Sequence, residues 1–377
     1  MELPRPDPAL PHLADVAPSV LAAMGVTGFE PRIPLPYDVA GACVLLIDGL
    51  GAELLDTYAA DAPVLAGLRG ATLQVGFPST TAAGLAAVGT GCRSGEHGMV
   101  GMSFRLPDVG VINALRWLPH PWGGDLREKA VPEAVQPQAT VFERASSAGA
   151  AVSVISGAQF AGSGLTRAVL RGGTYRGVHA MGDLADTIGA VITGRGFCYG
   201  YHADLDLVGH LHGPGSPAWR LQLRQVDTMV ESIVGNLPVG GLLAVVADHG
   251  MVELDDSAVD LDAVSELSDG VDAVGGEVRA RHIYTRPGAT DEVLATWRTA
   301  LGDRAWVVTR DEAVAAGWFG ERVTDEVRPR IGDVVAAARG CSGLLRRSAE
   351  PLESSLVGQH GSLTDAEQRI PLLLAHR

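Results

Sequence analysis

Two short, uninterrupted apolar runs constrain the fold of this 377-residue chain more than any other feature. Val44–Ile47 ends at Asp48, and Gly241–Ala247 ends at Asp248, with glycine close behind each carboxylate. An unbroken apolar run bounded by glycine is typical of a strand buried on both faces of a parallel sheet. A carboxylate just past such a strand lies at the carboxyl edge of the sheet, where open α/β folds bind ligands. For one strand alone, a helix cap or turn explains the Asp equally well.

Strand and helix patterns alternate along most of the remaining chain. Further strands are predicted at Ala71–Phe77, Ala151–Ile155, Gly196–Tyr201 and Ile370–Ala375. Helices are predicted at Leu13–Met24, Ala52–Tyr58, Ala62–Leu68, Ala82–Val88 and Ser216–Val234. This alternation predicts an α/β fold with a mostly parallel central sheet flanked by helices on both faces. We expect one catalytic domain over residues 1–377, with a loop excursion over the site at 103–138 and a smaller inserted cap region at 255–340.

The charge and the cysteine content limit the partners and the cellular compartment that suit this chain. The formal net charge is -15, and Lys129 is the only lysine, which argues against a nucleic-acid polymer or an anionic membrane as partner. A small phosphorylated substrate held by a metal is compatible with this charge. The 4 cysteines form no CxxC pair, the chain start shows no signal-peptide pattern, and no apolar run reaches membrane-spanning length. These features predict a cytoplasmic protein, and they leave the oligomeric state open.

Three further segments carry candidate ligands at strand ends or in glycine-rich loops. Asp206 and His210 lie four residues apart, His249 follows Asp248 directly, and His360 stands between glycines. Each has an ordinary alternative, since a lone His in a loop is commonly just solvated. Asp204 competes with Asp206, and His212 competes with His210.

The combined inventory is three carboxylates and three imidazoles, namely Asp48, Asp206, Asp248, His210, His249 and His360. This mixture of nitrogen and oxygen donors suits zinc best, with manganese or iron as possible substitutes. Magnesium fits less well because it rarely accepts several imidazoles.

The order of short motifs along the chain adds a resemblance. The motifs are Asp48-Gly49, Thr81 at a helix start, Thr90-Gly91, His97-Gly98, Asp206-x-x-x-His210, Asp248-His249-Gly250 and His360-Gly361. In this order and spacing they resemble the alkaline phosphatase superfamily, and more narrowly its nucleotide pyrophosphatase/phosphodiesterase branch. Each motif is weak alone, but together they are specific, and they span nearly the whole chain.

The resemblance implies two zinc sites and a covalent mechanism. Asp48, Asp248 and His249 would hold one zinc, which also binds the hydroxyl of Thr81. The second zinc would be held by Asp206, His210 and His360. Thr81 would attack phosphorus, and water would then hydrolyse the phospho-threonine. Thr80 is the competing nucleophile, and the distance to Thr90-Gly91 favours Thr81.

One departure from the family pattern concerns the substrate. The nucleotide pyrophosphatases usually follow the nucleophile with Phe-Pro-Asn, but this chain has Ala82-Ala83-Gly84. The missing aromatic wall and amide put a nucleotide substrate in doubt. Phe104, Trp117 and Trp122 are predicted either to line the pocket instead or simply to pack the 103–138 segment.

The resemblance therefore implies a phosphodiester or pyrophosphate hydrolase. A phosphomonoesterase or a phosphonoacetate-type hydrolase on the same core is the alternative, and a metal-binding protein without turnover is a third hypothesis. Arg279 and Arg281 could bind a substrate anion, but their alternation along a predicted strand favours surface exposure.

Overall fold

The computed structural model describes residues 3–377. In chain order its α-helices are α1 Val16–Ala23, α2 Ala52–Thr57, α3 Pro63–Gly67, α4 Thr81–Thr90, α5 Ser94–His97, α6 Pro132–Val135, α7 Val141–Ser147, α8 Gly164–Val169, α9 Met181–Thr193, α10 Asp204–His212, α11 Pro217–Gly235, α12 Thr290–Leu301, α13 Arg310–Ala315 and α14 Asp365–Gln368. Its strands are β1 Gly41–Ile47, β2 Arg69–Gln74, β3 Ser103–Leu106, β4 Gly110–Asn113, β5 Leu118–Pro119, β6 Val152–Gly157, β7 Thr174–Val178, β8 Phe197–His202, β9 Gly241–Val246, β10 Val252–Glu253, β11 Val259–Asp260, β12 Val271–Glu277, β13 Ala280–Thr285, β14 Ala305–Thr309, β15 Val334–Ala338, β16 Leu344–Leu345, β17 Gly358–Gln359 and β18 Arg369–His376.

The central sheet confirms the predicted fold class. Its strand order is β2-β18-β9-β1-β8-β6-β7. The pairs β1–β8, β1–β9, β6–β7 and β6–β8 are parallel, whereas β18 runs antiparallel to β9 and β2. The predicted last strand therefore exists, but it is inserted in the opposite direction. Because β1, β8 and β9 are parallel neighbours, their carboxyl ends meet at one edge.

The two apolar runs form the middle of this sheet. Every residue of β1 and of β9 is buried, as expected for strands covered on both faces. In the register, Leu46 pairs with Val246 on one side and with Tyr201 on the other. The three strands therefore end within about one residue of each other, and the polar residues that follow them are brought together.

Helices cover the sheet in two layers. One layer contains α9 packed against α11, and the other contains α1, α4 and α7, which contact one another. α11 begins with Pro217 at a favoured first-turn position, and the Ser216 hydroxyl accepts from the Trp219 N–H, which explains why the predicted helix starts there. Among residues 3–377, no helix combines the length and the apolar character needed to cross a membrane.

The 255–340 segment contains a second, antiparallel sheet with the order β12-β13-β15-β14. A separate apolar cluster around Trp297 and Ile283 packs beneath it. The 103–138 segment contains the small sheet β3-β4-β5, whose strand β3 contacts β12. Both segments therefore have regular structure and touch each other.

Two expectations from the sequence, one about a pair of arginines and one about the bounds of a strand, were wrong. Arg279 and Arg281 are fully buried, each paired with a buried glutamate, Glu367 and Glu350 respectively. Surface exposure was predicted from alternation along a strand, but Arg281 lies in β13, an inner strand of the second sheet, and Arg279 directly precedes that strand. The predicted strand Ala71–Phe77 instead spans Arg69–Gln74, because its pairing with β18 ends where Gln74 meets Arg369.

Candidate metal centre and nucleophile

The carboxyl ends of β1 and β9 bring two carboxylates together. Asp48 follows β1, Asp248 follows β9 by one residue, and both side chains are buried. The backbone N–H of Gly49 donates to Oδ1 of Asp248 at 3.2 Å, which ties the two strand ends to each other. Gly49 has φ of 75°, a left-handed conformation that favours glycine, so the Asp-Gly sequence has a direct structural reason here.

The first group of possible ligands surrounds Nε2 of His249. Oδ1 of Asp48 lies 3.3 Å from this nitrogen, Oδ2 of Asp248 lies 3.7 Å away, and the Thr81 hydroxyl lies 3.2 Å away. Ligand atoms of Asp48, Asp206 and His249 all lie within 4.8 Å of one another. Two residues from separate strand ends and one from a helix therefore converge on a single small volume.

The second group lies beside the first and shares Asp206 with it. Asp206 and His210 are one turn apart on α10, with Oδ2 and Nε2 separated by 3.3 Å. Nε2 of His360 lies 3.2 Å from Nε2 of His210 and 3.9 Å from Oδ1 of Asp206. Ligand atoms of these three residues also lie within 4.8 Å of one another. The rings of His249 and His360 stack with centroids 3.5 Å apart, so the two groups are in contact.

Backbone carbonyls orient the three imidazoles. In each ring Nδ1 lies at hydrogen-bond distance from a carbonyl oxygen: His210 from Gly358 at 2.7 Å, His360 from Ser79 at 2.9 Å and His249 from Gly250 at 3.0 Å. A carbonyl oxygen can only accept, so Nδ1 carries the proton in all three rings. In the neutral form of such a ring, Nε2 presents its lone pair to the site, which is the tautomer a metal ligand requires.

Burial and mutual repulsion perturb the carboxyl groups strongly. Burial, followed by the nearby charges of Asp248 and Asp206, raises the pKa of Asp48 well above its ordinary value. Burial also raises the pKa of Asp248. Burial opposes ionisation of Asp206 as well, but His210, His360 and His249 together outweigh it and lower the pKa of that carboxyl. Burial, followed by the charge of His249, lowers the pKa of His360 well below its ordinary value, which favours the neutral ring.

The donor set fits a divalent cation. Oδ1 of Asp48, Oδ1 of Asp206 and Oδ2 of Asp248 are buried and have no hydrogen-bond partner among residues 3–377. A buried carboxylate oxygen without a donor is costly unless a cation compensates it. Carboxylate oxygens together with neutral Nε2 atoms form the ligand chemistry that zinc prefers, and that manganese or iron also accept.

Thr81 is the first residue of α4, which ends at Gly91 in a left-handed cap. α4 approaches β9 so closely at Gly84 that a Cβ there would lie 2.4 Å from Cβ of Asp248. This contact explains a glycine in the first turns of an otherwise alanine-rich helix. It also sets the distance between the Thr81 hydroxyl and the carboxylates of the site.

The competing residues lie elsewhere. Thr80 precedes the helix as its N-cap and is buried, while Asp204 and His212 are exposed on α10, away from the face that carries Asp206 and His210. No hydrogen bond from the Thr80 hydroxyl is found among the described residues.

Sequence reasoning missed three residues that shape the site. They are Ser79, whose carbonyl orients His360, Gly84 and Tyr201, whose hydroxyl donates to Oδ2 of Asp48. Ser79 also bonds through its hydroxyl to the carbonyl of Ser362, so the His360 loop is fixed to the segment before α4. No short motif marks these positions, because their roles depend on contacts between distant segments.

Two of the three aromatic residues singled out in the 103–138 segment pack within it. Phe104 and Trp117 are fully buried, and the Trp117 indole donates to the carbonyl of Ala130, so both pack the segment. Trp122 is 62% exposed and is the one of the three that remains available to a ligand. His97, the first residue of the His97-Gly98 motif, is buried, and its Nδ1 accepts from the N–H of Met99.

Comparison with solved structures shows the same fold in two kinds of enzyme. Murine ectonucleotide pyrophosphatase/phosphodiesterase 5 aligns with a TM-score of 0.67 at 18% identity, over 89% of this chain and 87% of that chain. The same murine protein, as an inactive variant in complex with AMP, gives 0.66 at 19% identity over 89% and 87%. Phosphonoacetate hydrolase from Sinorhizobium meliloti 1021, in complex with phosphonoformate, gives 0.64 at 20% identity over 89% and 90%.

Sequence comparison agrees with the structural one. No curated protein matches the chain. The family model described as type I phosphodiesterase/nucleotide pyrophosphatase, however, matches residues 42–363, which include every proposed ligand and Thr81. The match covers most of the chain, and the chain therefore belongs to the type I phosphodiesterase/nucleotide pyrophosphatase family, within the alkaline phosphatase superfamily.

Proposed function

We propose that this protein is a two-metal phosphohydrolase that cleaves phosphodiester or pyrophosphate bonds through a covalent phospho-threonine on Thr81. One observation carries the proposal: two adjoining groups of metal-ligand atoms share Asp206, and the Thr81 hydroxyl lies 3.2 Å from His249 in the first of them. The family membership supports a phosphoester hydrolase, and the arrangement of these side chains supports the finer assignment.

The proposed ligands divide as the resemblance implies. Asp48, Asp248 and His249 would hold one zinc together with the Thr81 hydroxyl. The other zinc would be held by Asp206, His210 and His360, with manganese or iron as possible replacements. When bound, the two ions would neutralise developing negative charge on both sides of phosphorus and lower the pKa of the attacking hydroxyl.

The chain itself supplies the nucleophile and part of the anion-binding surface. The Thr81 oxygen forms a bond to phosphorus as the bond from phosphorus to the leaving oxygen breaks. Water then attacks the phospho-threonine, releasing phosphate or a phosphate monoester and restoring the hydroxyl. The first turn of α4 offers backbone N–H groups without helical acceptors, including those of Ala82 and Ala83, to the phosphoryl oxygens.

Two solved relatives define the competing substrates. The murine protein is described with AMP bound in a variant made inactive by replacing a threonine with alanine, and the bacterial one with a phosphonate. Ala82 supplies no aromatic wall beside Thr81 in the present chain. A phosphomonoesterase or a phosphonoacetate-type hydrolase is therefore the second candidate.

The substrate class is tested with three compounds on the zinc-loaded protein. We expect faster hydrolysis of bis-p-nitrophenyl phosphate than of p-nitrophenyl phosphate, and no release of acetate from phosphonoacetate. A preference for the monoester would reverse the assignment, and acetate release would identify the phosphonate hydrolase. Bound zinc without hydrolysis of any phosphoryl ester would favour a metal-binding protein without turnover.

The nucleophile is tested with two adjacent variants. Thr81→Ala should retain the fold and the metals but lose at least about a thousandfold in kcat, because it removes the proposed nucleophile. Thr80→Ala is the matched control, since the Thr80 side chain makes no capping hydrogen bond to the helix. A dead Thr80→Ala variant beside an active Thr81→Ala variant would move the nucleophile to Thr80.

A cytoplasmic location is also proposed. It is supported by the cysteines, of which Cys43, Cys92, Cys198 and Cys341 are all free within the described chain. Fractionation of cells that produce the full-length protein would test it, and recovery outside the cytoplasm would refute it.

A further inference from the structure

Tyr201 connects two strands at the edge of the metal centre. It lies near the end of β8, where it pairs with Leu46 of the neighbouring parallel strand β1. Asp48 directly follows the last residue of β1, and the Tyr201 hydroxyl donates a hydrogen bond to its Oδ2. A phenol is long enough to reach the carboxylate past the strand end, which a shorter side chain at this position would not do.

We propose that Tyr201 is a positioning residue that fixes the Asp48 carboxylate for metal binding. This inference rests on the proposed function, because it assigns a role within the same site. Tyr201 donates a hydrogen bond to the proposed ligand Asp48, so the role proposed for it is exerted through that ligand. Neither the sequence motifs nor the resemblance assigns it this role.

The two oxygens of Asp48 have different surroundings. Oδ2 accepts from Tyr201, whereas Oδ1 is buried without a hydrogen-bond donor in the described chain and lies 3.3 Å from Nε2 of His249. A carboxylate held at one oxygen cannot rotate freely about its Cβ–Cγ bond. The hydrogen bond from Tyr201 therefore selects the orientation in which Oδ1 points toward the ligands His249 and Asp206.

Strand β8 holds Asp48 at two points. The Asp48 backbone N–H donates to the carbonyl of His202 at 2.9 Å, and the Tyr201 hydroxyl holds the side chain. The Tyr201 ring is itself fixed by the strand register and by an edge-to-face contact with Phe160, at 6.2 Å between ring centroids. Because both anchors come from one buried strand, the position of the carboxylate depends little on loop motion.

Hydrogen bonds of this kind normally strengthen metal binding. Ligating carboxylates are themselves hydrogen-bonded in metal sites, and removal of such an outer partner typically costs about 10- to 100-fold in metal affinity. We therefore expect the loss of the Tyr201 hydroxyl to weaken one of the two zinc sites and to leave the other site, which lacks Asp48 in the proposed assignment, much less affected.

The test compares Tyr201→Phe with Tyr175→Phe in the full-length protein. Both variants delete one hydroxyl, but that of Tyr175 donates to the carbonyl of Gly157 instead of to a ligand. Zinc affinity is measured by competition with a chromogenic chelator, and the fold is checked by thermal unfolding. Tyr201→Phe should weaken one site about 10- to 100-fold, whereas Tyr175→Phe should bind zinc within about twofold of the wild type.

Activity against zinc concentration gives a second readout. If Tyr201 positions a ligand, kcat of Tyr201→Phe on bis-p-nitrophenyl phosphate falls at limiting zinc and recovers toward the wild-type value at excess zinc. A merely structural role would lower the melting temperature without shifting this zinc dependence.

The outcomes separate the two proposals. Wild-type zinc affinity in Tyr201→Phe, with the wild type active on the diester, would overturn the role of Tyr201 and leave the proposed function standing. Lost activity that excess zinc does not restore, at unchanged zinc affinity, would also overturn it. A wild-type protein that neither binds zinc nor hydrolyses phosphoesters would refute the proposed function, and the role of Tyr201 with it.

Discussion

Gly84 provides a sharp test of how the helix carrying Thr81 is placed against the carboxylates. A Cβ added at Gly84 would lie 2.4 Å from Cβ, 3.0 Å from Cα and 3.1 Å from the carbonyl oxygen of Asp248. Ordinary contacts between carbon atoms are about 3.5–4.0 Å. Asp248 is fully buried and follows the inner strand β9 by one residue, and its Oδ1 accepts from the N–H of Gly49, so the surrounding chain restrains its movement.

The predicted effect of Gly84→Ala is the sum of two opposing terms. Alanine in a helix interior is favoured over glycine by roughly 0.5–1 kcal/mol. Overpacking of a closed core costs roughly 1–3 kcal/mol. The net expectation is a loss of about 0–2.5 kcal/mol in the free energy of unfolding. A larger effect is expected in the site, because relief of the contact needs a shift of about 1 Å between Thr81 and Asp248, and a misplacement of that size can lower turnover about 100-fold.

Gly189→Ala is the matched control. Gly189 lies inside α9, and a Cβ there would meet nothing within 4 Å. This variant should gain roughly 0.5–1 kcal/mol from helix propensity alone and keep wild-type activity. Urea unfolding gives the stability of both variants, and kcat on bis-p-nitrophenyl phosphate at saturating zinc gives the effect on the site. If Gly84→Ala is stabilised like Gly189→Ala and retains full turnover, the argument that this contact sets the site geometry is wrong.

Two further predictions concern the buried carboxyl groups of Glu277 and Glu350. Burial, the largest cause, raises the pKa of Glu277 to about 8. The folded protein therefore retains a proton that the unfolded chain releases above pH ~4.3. The free energy of unfolding falls as the pH rises from there through about 8. Between pH 6 and 9, the free energy of unfolding should therefore fall by roughly 1–3 kcal/mol less in Glu277→Gln than in the wild type. Urea unfolding at both pH values measures this fall, and an equal fall in the two proteins would refute the prediction. Glu350→Gln breaks a pair with Arg281 in which both side chains are fully buried, and should cost about 3–5 kcal/mol. Asp311→Asn, at a pair with Arg328 whose side chains are 77% and 42% exposed, should change stability far less, so similar losses in urea unfolding would contradict the argument from burial.

The sequence predicts the centre of the fold because local pattern and burial agree there. β1 and β9 are apolar throughout and buried throughout, so an unbroken apolar run was sufficient to identify them. The direction of a strand is harder to predict from the sequence. Nothing in Ile370–Ala375 indicates that β18 runs antiparallel to β9, because pairing direction depends on the path of the preceding chain. Arg279 and Arg281 were misjudged because their carboxylate partners lie 88 and 69 residues away in sequence.

The proposed ligands were accessible from the sequence for a different reason. Carboxylates and imidazoles at strand ends are visible as residue types, and parallel strands bring their carboxyl ends to one edge without any knowledge of the contacts. Three residues that shape the site are not visible in this way. Tyr201 acts through its hydroxyl, Ser79 through its backbone carbonyl and Gly84 through the absence of a Cβ. Such groups occur in every protein, so only the geometry distinguishes them from neighbouring residues.

The two halves of the ligand set are prepared for a metal by different means. The imidazoles are oriented by carbonyls of Gly358, Ser79 and Gly250, which belong to separate segments of the backbone. These bonds are neutral and do not need an ion to persist. The carboxylates oppose one another instead, since each of the raised pKa values at the strand ends reflects burial and a neighbouring negative charge. A cation bound in the proposed site would relieve that repulsion with the carboxylates ionised, so we expect metal binding to stabilise this edge of the sheet. Asp48 also accepts a hydrogen bond from the Tyr201 phenol, a contact that does not depend on a bound ion and that would keep the carboxylate oriented before one binds.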